Sequence, residues 1–299
     1  MNFDTYSQCP VCTSKNIHPY KNGTFDFQTI NRDLIKITDS DYGKTWDLWK
    51  CLDCGHIFAN PYPRREFIHS LYSMSEDPLY EEEAQGRGKN FIGILTILEK
   101  FHPDKGKLFD VGAATGILLD QAKHMGWTPS GIEASQWCVR VAKEKHKIHL
   151  IEGDFVAVEM KKNLFTAVTM VDFIEHIPQP FEAVSKAFKI LSPGGILCLV
   201  TPDIESFAAR IIGKKWWHFR PAHLAYFSMG SISRMLGRAG FKIVKVKKYA
   251  WTFSAHYLLS RLRPFKFLIK NAALGSFWKK IPIKLALKDS YEIYARKEN

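Results

Sequence analysis

Five residues, Gly112-Ala113-Ala114-Thr115-Gly116, constrain this chain more than any others. They follow the apolar pair Leu108-Phe109 and the acid Asp110. They precede Ile117-Leu118-Leu119-Asp120-Gln121-Ala122, which reads as a helix. A strand, a small-residue turn and a helix start make the ligand-binding corner of a doubly wound α/β sheet. Its glycines let the backbone approach a ligand at the helix N-terminus. The spacing is Gly-x-x-x-Gly rather than Gly-x-Gly-x-x-Gly, which favours a nucleoside over a dinucleotide pyrophosphate.

Acids recur at the ends of the strands that follow. Trp127 to Glu133 reads as a second strand, and Glu133 is 21 residues beyond Gly112. A carboxylate at that offset can accept both hydroxyls of a ribose. Ile148 to Phe155 reads as a third strand with Asp154 just past its end, and Phe165 to Asp172 as a fourth. Taken singly, each acid fits a helix cap or a solvated loop. Together they converge on the carboxyl edge of one sheet, where such folds bind ligands.

These residues resemble the class I S-adenosylmethionine-dependent methyltransferases. Leu108 to Gly116 is similar to their first motif, with Ala113-Ala114 where the family carries glycine, cysteine or serine. Asp172-Phe173-Ile174-Glu175-His176-Ile177-Pro178 is similar to their fourth-strand motif, and Pro193 to Pro202 to their turn and fifth strand. The resemblance covers roughly residues 64–297. It implies a seven-stranded Rossmann-like α/β sheet whose last strand, Ser290 to Lys297, inserts antiparallel between its two predecessors. It also implies an S-adenosylmethionine site: Asp110, Gly112, Ala113 and Gly116 near the amino-acid end, Glu133 on the ribose, Asp154 and Phe155 around the adenine, and Asp172 at the fourth-strand tip.

Cysteine spacing predicts a second module. Cys9-Pro10-Val11-Cys12 and Cys51-Leu52-Asp53-Cys54-Gly55 are two knuckles. Four thiolates complete a tetrahedral zinc site and leave no open position, so the expected zinc is structural. Cys138 and Cys198 read as small buried hydrophobes. The expected division is a zinc ribbon over 1–61, a helical linker and lid over 62–105, and the methyltransferase domain over 106–299, with a basic insertion near 251–289. Within the linker, Ser73 to Lys89 is polar, contains Gly86 and Gly88, and reads as a flexible lid from which Tyr72 or Tyr80 could cover the cofactor.

Formal charge is +12. Residues 241–299 hold 14 Lys or Arg against 3 Asp or Glu, so +11 of it lies there. Charge collected at one end fits an acidic surface better than a nucleic-acid groove around the active cleft. Pro264 to Leu274 reads as a basic amphipathic helix suited to an anionic membrane, with Phe265, Leu268, Ile269 and Ala272 on one face and Arg263, Lys266 and Lys270 on the other. No 18-residue apolar run and no signal-like start is present, so the expected location is cytoplasmic, with peripheral contact at the inner face of the membrane.

Methyl transfer from a sulfonium is an in-line displacement in which positioning supplies much of the rate. A base is needed when the acceptor must lose a proton. His176 and His223 are the candidates. The stretch Lys214-Lys215-Trp216-Trp217-His218-Phe219-Arg220 suits a sugar ring or a phosphate-bearing acceptor. The combination of ribbon and methyltransferase domain resembles bacterial methyltransferases of surface-polysaccharide, sugar and secondary metabolism, which implies O- or N-methylation of a small-molecule, sugar or lipid-linked acceptor. Sugar C-methyltransferases that share the ribbon carry a further domain. The alternatives are an RNA methyltransferase and a non-enzymatic cofactor-binding interaction protein. The RNA reading gains from the basic stretch and loses from the lack of an Asn-Pro-Pro-Tyr-type motif after the fourth strand.

Overall fold

Alternating apolar strands and amphipathic helices from Lys107 onward give a computed structural model with a seven-stranded sheet at its centre. It describes residues 2–36, 38, 42–261 and 272–298. The helix expected over Pro264 to Leu274 therefore lies largely outside the described residues.

Before that sheet come β1 (Phe3–Asp4), β2 (Ile17–Lys21), β3 (Leu48–Cys51), β4 (Ile57–Ala59) and β5 (Tyr62–Pro63), then α1 (Arg65–Ser73), α2 (Pro78–Glu82) and α3 (Ala84–Phe101). The sheet and its helices follow as β6 (Lys107–Val111), α4 (Ile117–His124), β7 (Thr128–Glu133), α5 (Gln136–Val141), β8 (Ile151–Glu152), β9 (Phe165–Val171), α6 (Pro180–Ile190) and β10 (Leu191–Pro202). Next are α7 (Phe207–Ile212), β11 (Ala225–Tyr226), α8 (Met229–Arg238), β12 (Phe241–Lys248), β13 (Trp251–Ser254), α9 (Ala255–Arg261), α10 (Ala272–Lys279), β14 (Pro282–Leu285) and β15 (Ser290–Lys297).

The sheet order is β12-β15-β10-β9-β6-β7-β8, with β15 antiparallel to both neighbours and the other pairs parallel. This is the Rossmann-like order with the inserted last strand that the sequence leads one to expect. Central strands β6, β9 and β10 are buried on both faces, which accounts for their near-continuous apolar runs. One core under the sheet gathers Phe109, Val168 and Leu199; another, under α3 and α4, gathers Leu95, Leu98 and Leu118.

The polar segment Ser73 to Lys89 departs from the flexible lid expected of it. It forms α2 and the first turns of α3, and Gly86, Arg87 and Gly88 are buried. The reason is packing. A Cβ on Gly86 would sit 2.8 Å from the Thr252 carbonyl oxygen, so glycine is what lets β13 cross α3 closely. Asn90 adds two bonds to the Thr252 backbone, and Glu83 accepts from both the amide and the hydroxyl of Ser254.

The cysteine module is not a separate lobe. Its sheet runs β11-β4-β3-β2, so its edge strand comes from far along the chain. Further ties hold the same distant loop. Trp46 Nε1 donates to the Pro221 carbonyl at 2.8 Å, Gly43 N to Phe219 O at 2.7 Å, and Ala59 N to Leu224 O at 2.7 Å. Arg220 also donates to the Lys36 carbonyl.

Candidate functional site

The corner after β6 has the tight geometry its small residues allow. Gly112 (φ 71°), Ala114 (φ 46°) and Gly116 (φ 81°) all lie in the left-handed region, and Gly116 caps α4. The turn delivers Ala114 N to Glu133 Oε2 at 2.8 Å, while Ser135 N donates to Oε1 at 2.8 Å. Two amides thus fix the carboxylate at the tip of β7. Each oxygen keeps a lone pair for a further donor. Burial pushes the Glu133 carboxyl up, and the amides of Ser135 and Ala114 pull it back.

Two clefts open at this edge. The larger holds about 1040 Å³ of space between atoms, solvent mouth included, and is lined by Gly112, Ala114, Glu133, Asp154, Phe155 and Asp172, with Arg65, His69 and Tyr72 from α1 opposite. Asp154 accepts from Val156 N at 2.8 Å and pairs with Arg65 Nε at 3.1 Å. Phe155 is buried beside Phe109. The smaller cleft, about 750 Å³, is lined by Tyr80, Phe91 and Trp251, the cations Arg87 and Arg220, the acids Asp110, Asp172 and Glu175, and His176, His218 and His223. Gly112, Ala114, Asp172 and His176 line both clefts and form their common wall. Ala113 lines only the smaller cleft, and Gly116 lines neither: it starts the helix behind the turn.

Buried acids crowd the smaller cleft. Asp110 accepts from Thr169 Oγ1 at 2.6 Å, yet burial raises its carboxyl to about 7. Asp172 holds a left-handed backbone (φ 49°), and its Oδ1 is buried with no partner. Burial lifts it to about 7 while Arg87 and Arg220 pull it down. Left-handed backbone at a non-glycine residue costs about 1–3 kcal/mol, and such strain clusters at ligand sites.

The two candidate histidines meet. The rings of His176 and His223 stand edge to face, 4.7 Å between centroids. Burial drives His176 down to about 3, helped by Arg220, and burial with His176 and Arg220 drives His223 well down. Both are neutral at physiological pH. Glu175 joins them: its Oε2 accepts from Thr201 Oγ1 at 3.0 Å, and its backbone carbonyl accepts from Leu224 N at 2.7 Å.

Arg87 and Glu175 have no assigned role in the sequence reading, and the fold brings both to the smaller cleft, where Arg220 of the expected acceptor stretch also stands. Arg87 sits 3.8 Å over the Tyr80 ring. A buried arginine between two glycines in a polar stretch gives little signal. Glu175, adjacent to His176 in the fourth-strand motif, gave one.

The cysteine cluster is assembled as expected. Ligand atoms of Cys9, Cys12, Cys51 and Cys54 lie within 4.8 Å of one another, with Cys9–Cys54 at 3.7 Å and Cys12–Cys51 at 3.5 Å between sulfurs. A tetrahedron with Zn–S bonds of about 2.3 Å has edges of about 3.8 Å, so the set is compatible with zinc. Cys138 and Cys198 are buried apart from it.

Comparison with known proteins agrees with this edge. A family described as "Methyltransferase domain" matches residues 82–246. The ubiquinone biosynthesis O-methyltransferase of Thiobacillus denitrificans is 27% identical over 124 residues, covering 37% of this chain and 51% of the relative. That of Pseudomonas fluorescens is 24% identical over 183 residues, covering 52% of this chain and 78% of the relative. The chain thus spans about half the length of the first relative. Among solved structures, the phosphoethanolamine N-methyltransferase 2 of Haemonchus contortus with S-adenosyl-L-methionine is 18% identical, covering 81% of this chain and 63% of that one, with a TM-score of 0.48.

Proposed function

The chain belongs to the S-adenosylmethionine-dependent class I methyltransferases, and from that premise we propose that it methylates a hydroxyl of a small, ring-bearing acceptor held in the smaller cleft. The observation that carries this reading is the common wall. Gly112, Ala114, Asp172 and His176 belong to both clefts, so a methyl group presented at this wall faces an enclosure of aromatic rings and neutral imidazoles. The relatives named for quinone O-methylation support a small-molecule acceptor.

The residues present fit the cofactor. Glu133 has lone pairs left for the ribose hydroxyls, and Phe155 with Asp154 closes the far end of the larger cleft. Asp172 Oδ1, buried and unpartnered, is an acceptor for the cofactor's amine; Arg87 supplies charge for its carboxylate. When bound, the cofactor supplies an already activated methyl group. Tyr80, Phe91 and Trp251 exclude water and orient the acceptor ring. His176 and His223, both neutral, act on the acceptor's hydroxyl proton.

In this reading residues 1–61 are the metal module, 62–105 the cover and 106–299 the transfer domain with its insertion near 251–289. The basic stretch docks on anionic membrane, where lipid-linked acceptors reside. Among the described residues no helix is long and apolar enough to cross a membrane. A screen with methyl-labelled cofactor against phenols, quinols, nucleotide sugars and lipid extracts tests the acceptor assignment. Label entering only amines or RNA would overturn it.

A further inference from the structure

We propose that Glu175, His176 and His223 form a divalent transition-metal site in the acceptor cleft. Each offers one ligand atom, and the three atoms lie within 4.8 Å of one another. The donor set is two imidazoles and one carboxylate, which suits zinc, manganese, cobalt or ferrous iron. Three protein ligands leave coordination positions open, and all three residues line the cleft.

Unused lone pairs support this assignment. Glu175 Oε1 and His223 Nδ1 are both buried with no hydrogen-bond partner. Such atoms are costly to leave unsatisfied, and a cation satisfies both at once. The third ligand is oriented by its neighbour. His176 Nδ1 lies 2.9 Å from the Ala222 carbonyl oxygen, which can only accept. The Tyr72 hydroxyl lies at the same 2.9 Å from that nitrogen and can donate or accept; with Nδ1 donating to the carbonyl, Nε2 keeps its lone pair for the ion. A backbone carbonyl on the far nitrogen is the usual support of a metal-bound histidine. Thr201 plays the same part for Glu175, donating to Oε2 at 3.0 Å and leaving Oε1 for the ion.

The lining is acid-rich, with three carboxyls against two arginines. A proton relay would need the carboxylate hydrogen-bonded to an imidazole, yet Glu175 Oε1 has no hydrogen-bond partner and Oε2 takes its bond from Thr201. The use of the site rests on the methyl-transfer reading; its existence does not. With their lone pairs on the ion, the two imidazoles no longer serve as bases; an acceptor hydroxyl at one open position is acidified by the ion, and its O–H proton passes to a water at another. The oxygen then forms the new O–C bond as the S–C bond breaks, and sulfur leaves as a neutral thioether.

Manganese separates this site from the cysteine cluster, because Mn²⁺ prefers oxygen and nitrogen donors to thiolates. The full chain, with zinc in its cysteine site, is titrated with Mn²⁺ and free ion is followed by electron paramagnetic resonance. About one Mn²⁺ per chain is expected. Glu175→Gln and His223→Ala should each weaken it by about 10–100-fold or more, whereas His218→Ala, whose ring stacks on His223 at 5.7 Å, should retain it. If either ligand variant fails to fold, Thr201→Val provides the test, with a loss of about 10–100-fold expected from removing the hydroxyl that orients Glu175. No binding of Mn²⁺ or Co²⁺ outside the cysteine site, or unchanged affinity in the folded variants, overturns the proposal. Calorimetry with S-adenosylmethionine on the same samples separates the two readings. Cofactor bound without manganese sinks the metal site alone; manganese bound without cofactor sinks methyl transfer and leaves the metal site standing.

Discussion

Glu133 is gripped by Ala114 N and Ser135 N, both at 2.8 Å, so this one side chain couples the glycine turn to the tip of β7. In the proposed reading Glu133→Ala removes the ribose acceptor, and it also loosens that turn. A hydrogen bond to a charged group is worth about 1.5–3 kcal/mol, so affinity for S-adenosylmethionine should fall about 10–100-fold by calorimetry. Equal affinities would remove Glu133 from the site. Asp172 carries a pH signature. Burial raises its carboxyl to about 7, against about 3.9 in an unfolded chain. Between those values the folded state holds the proton more tightly than the unfolded state. Asp172 therefore makes stability fall as pH rises from about 4 to about 7, with the full cost present above that. In cofactor-free protein, the thermal midpoint of Asp172→Asn should gain on the parent across that window and level off beyond it. A pH-independent difference would mean that Asp172 is not titrating there.

At the scale of elements, periodicity made β6, β7, β9, β10, β12 and β15 legible, because each is an apolar or alternating run bounded by turn residues. The start of α3 was not legible. Gly86 and Gly88 read as breakers, and only the crossing of β13 shows that Gly86 is there for closeness. Gly86→Ala should cost about 1–3 kcal/mol in denaturant unfolding through that contact with Thr252. The same gap hid Arg87 from the site, since its role depends on a helix the local sequence disfavours. His176 and His223 were legible as separate candidates; their meeting with Glu175 was not, because it depends on β11 and the loop before it. That loop is clamped by the cysteine module through β4, Trp46 and Gly43. Loss of zinc from the cysteine site, forced by Cys12→Ser with Cys54→Ser rather than by a chelator that would also reach the smaller cleft, should therefore raise hydrogen exchange over residues 219–226. Acceptor turnover should fall by about 100-fold, the scale of an ångström-level misplacement. Affinity for S-adenosylmethionine should hold, because Glu133 and the Gly112 turn make none of these ties. Parallel loss of both would show that the ribbon supports the whole fold rather than the loop.

Across the whole molecule, charge is lopsided: +11 of the +12 falls in residues 241–299. Within the described part, Lys279 pairs with Glu82 at 3.0 Å, Lys247 with Glu292 at 2.9 Å and Lys248 with Asp203 at 2.5 Å, so some of this charge is spent inside the protein. The remainder should still draw the protein to anionic vesicles, at about 1 kcal/mol per basic residue near the surface. Co-sedimentation should be lost on neutral vesicles and fall steeply with added salt. Binding indifferent to salt would remove the electrostatic account. The sheet itself sets an order of events. Strand β15 is synthesised after the other strands of this sheet yet lies between β10 and β12, with seven register pairs to β10 alone. As the chain leaves the ribosome, β6 to β10 can assemble from the front, since domains fold largely in order of synthesis. Until Ser290–Lys297 emerges, β10 and β12 each present an open edge, the kind of surface that recruits strands from other chains. In a crowded cell, the half of the sheet built from β10, β15 and β12 is therefore the half that most needs a chaperone's shelter.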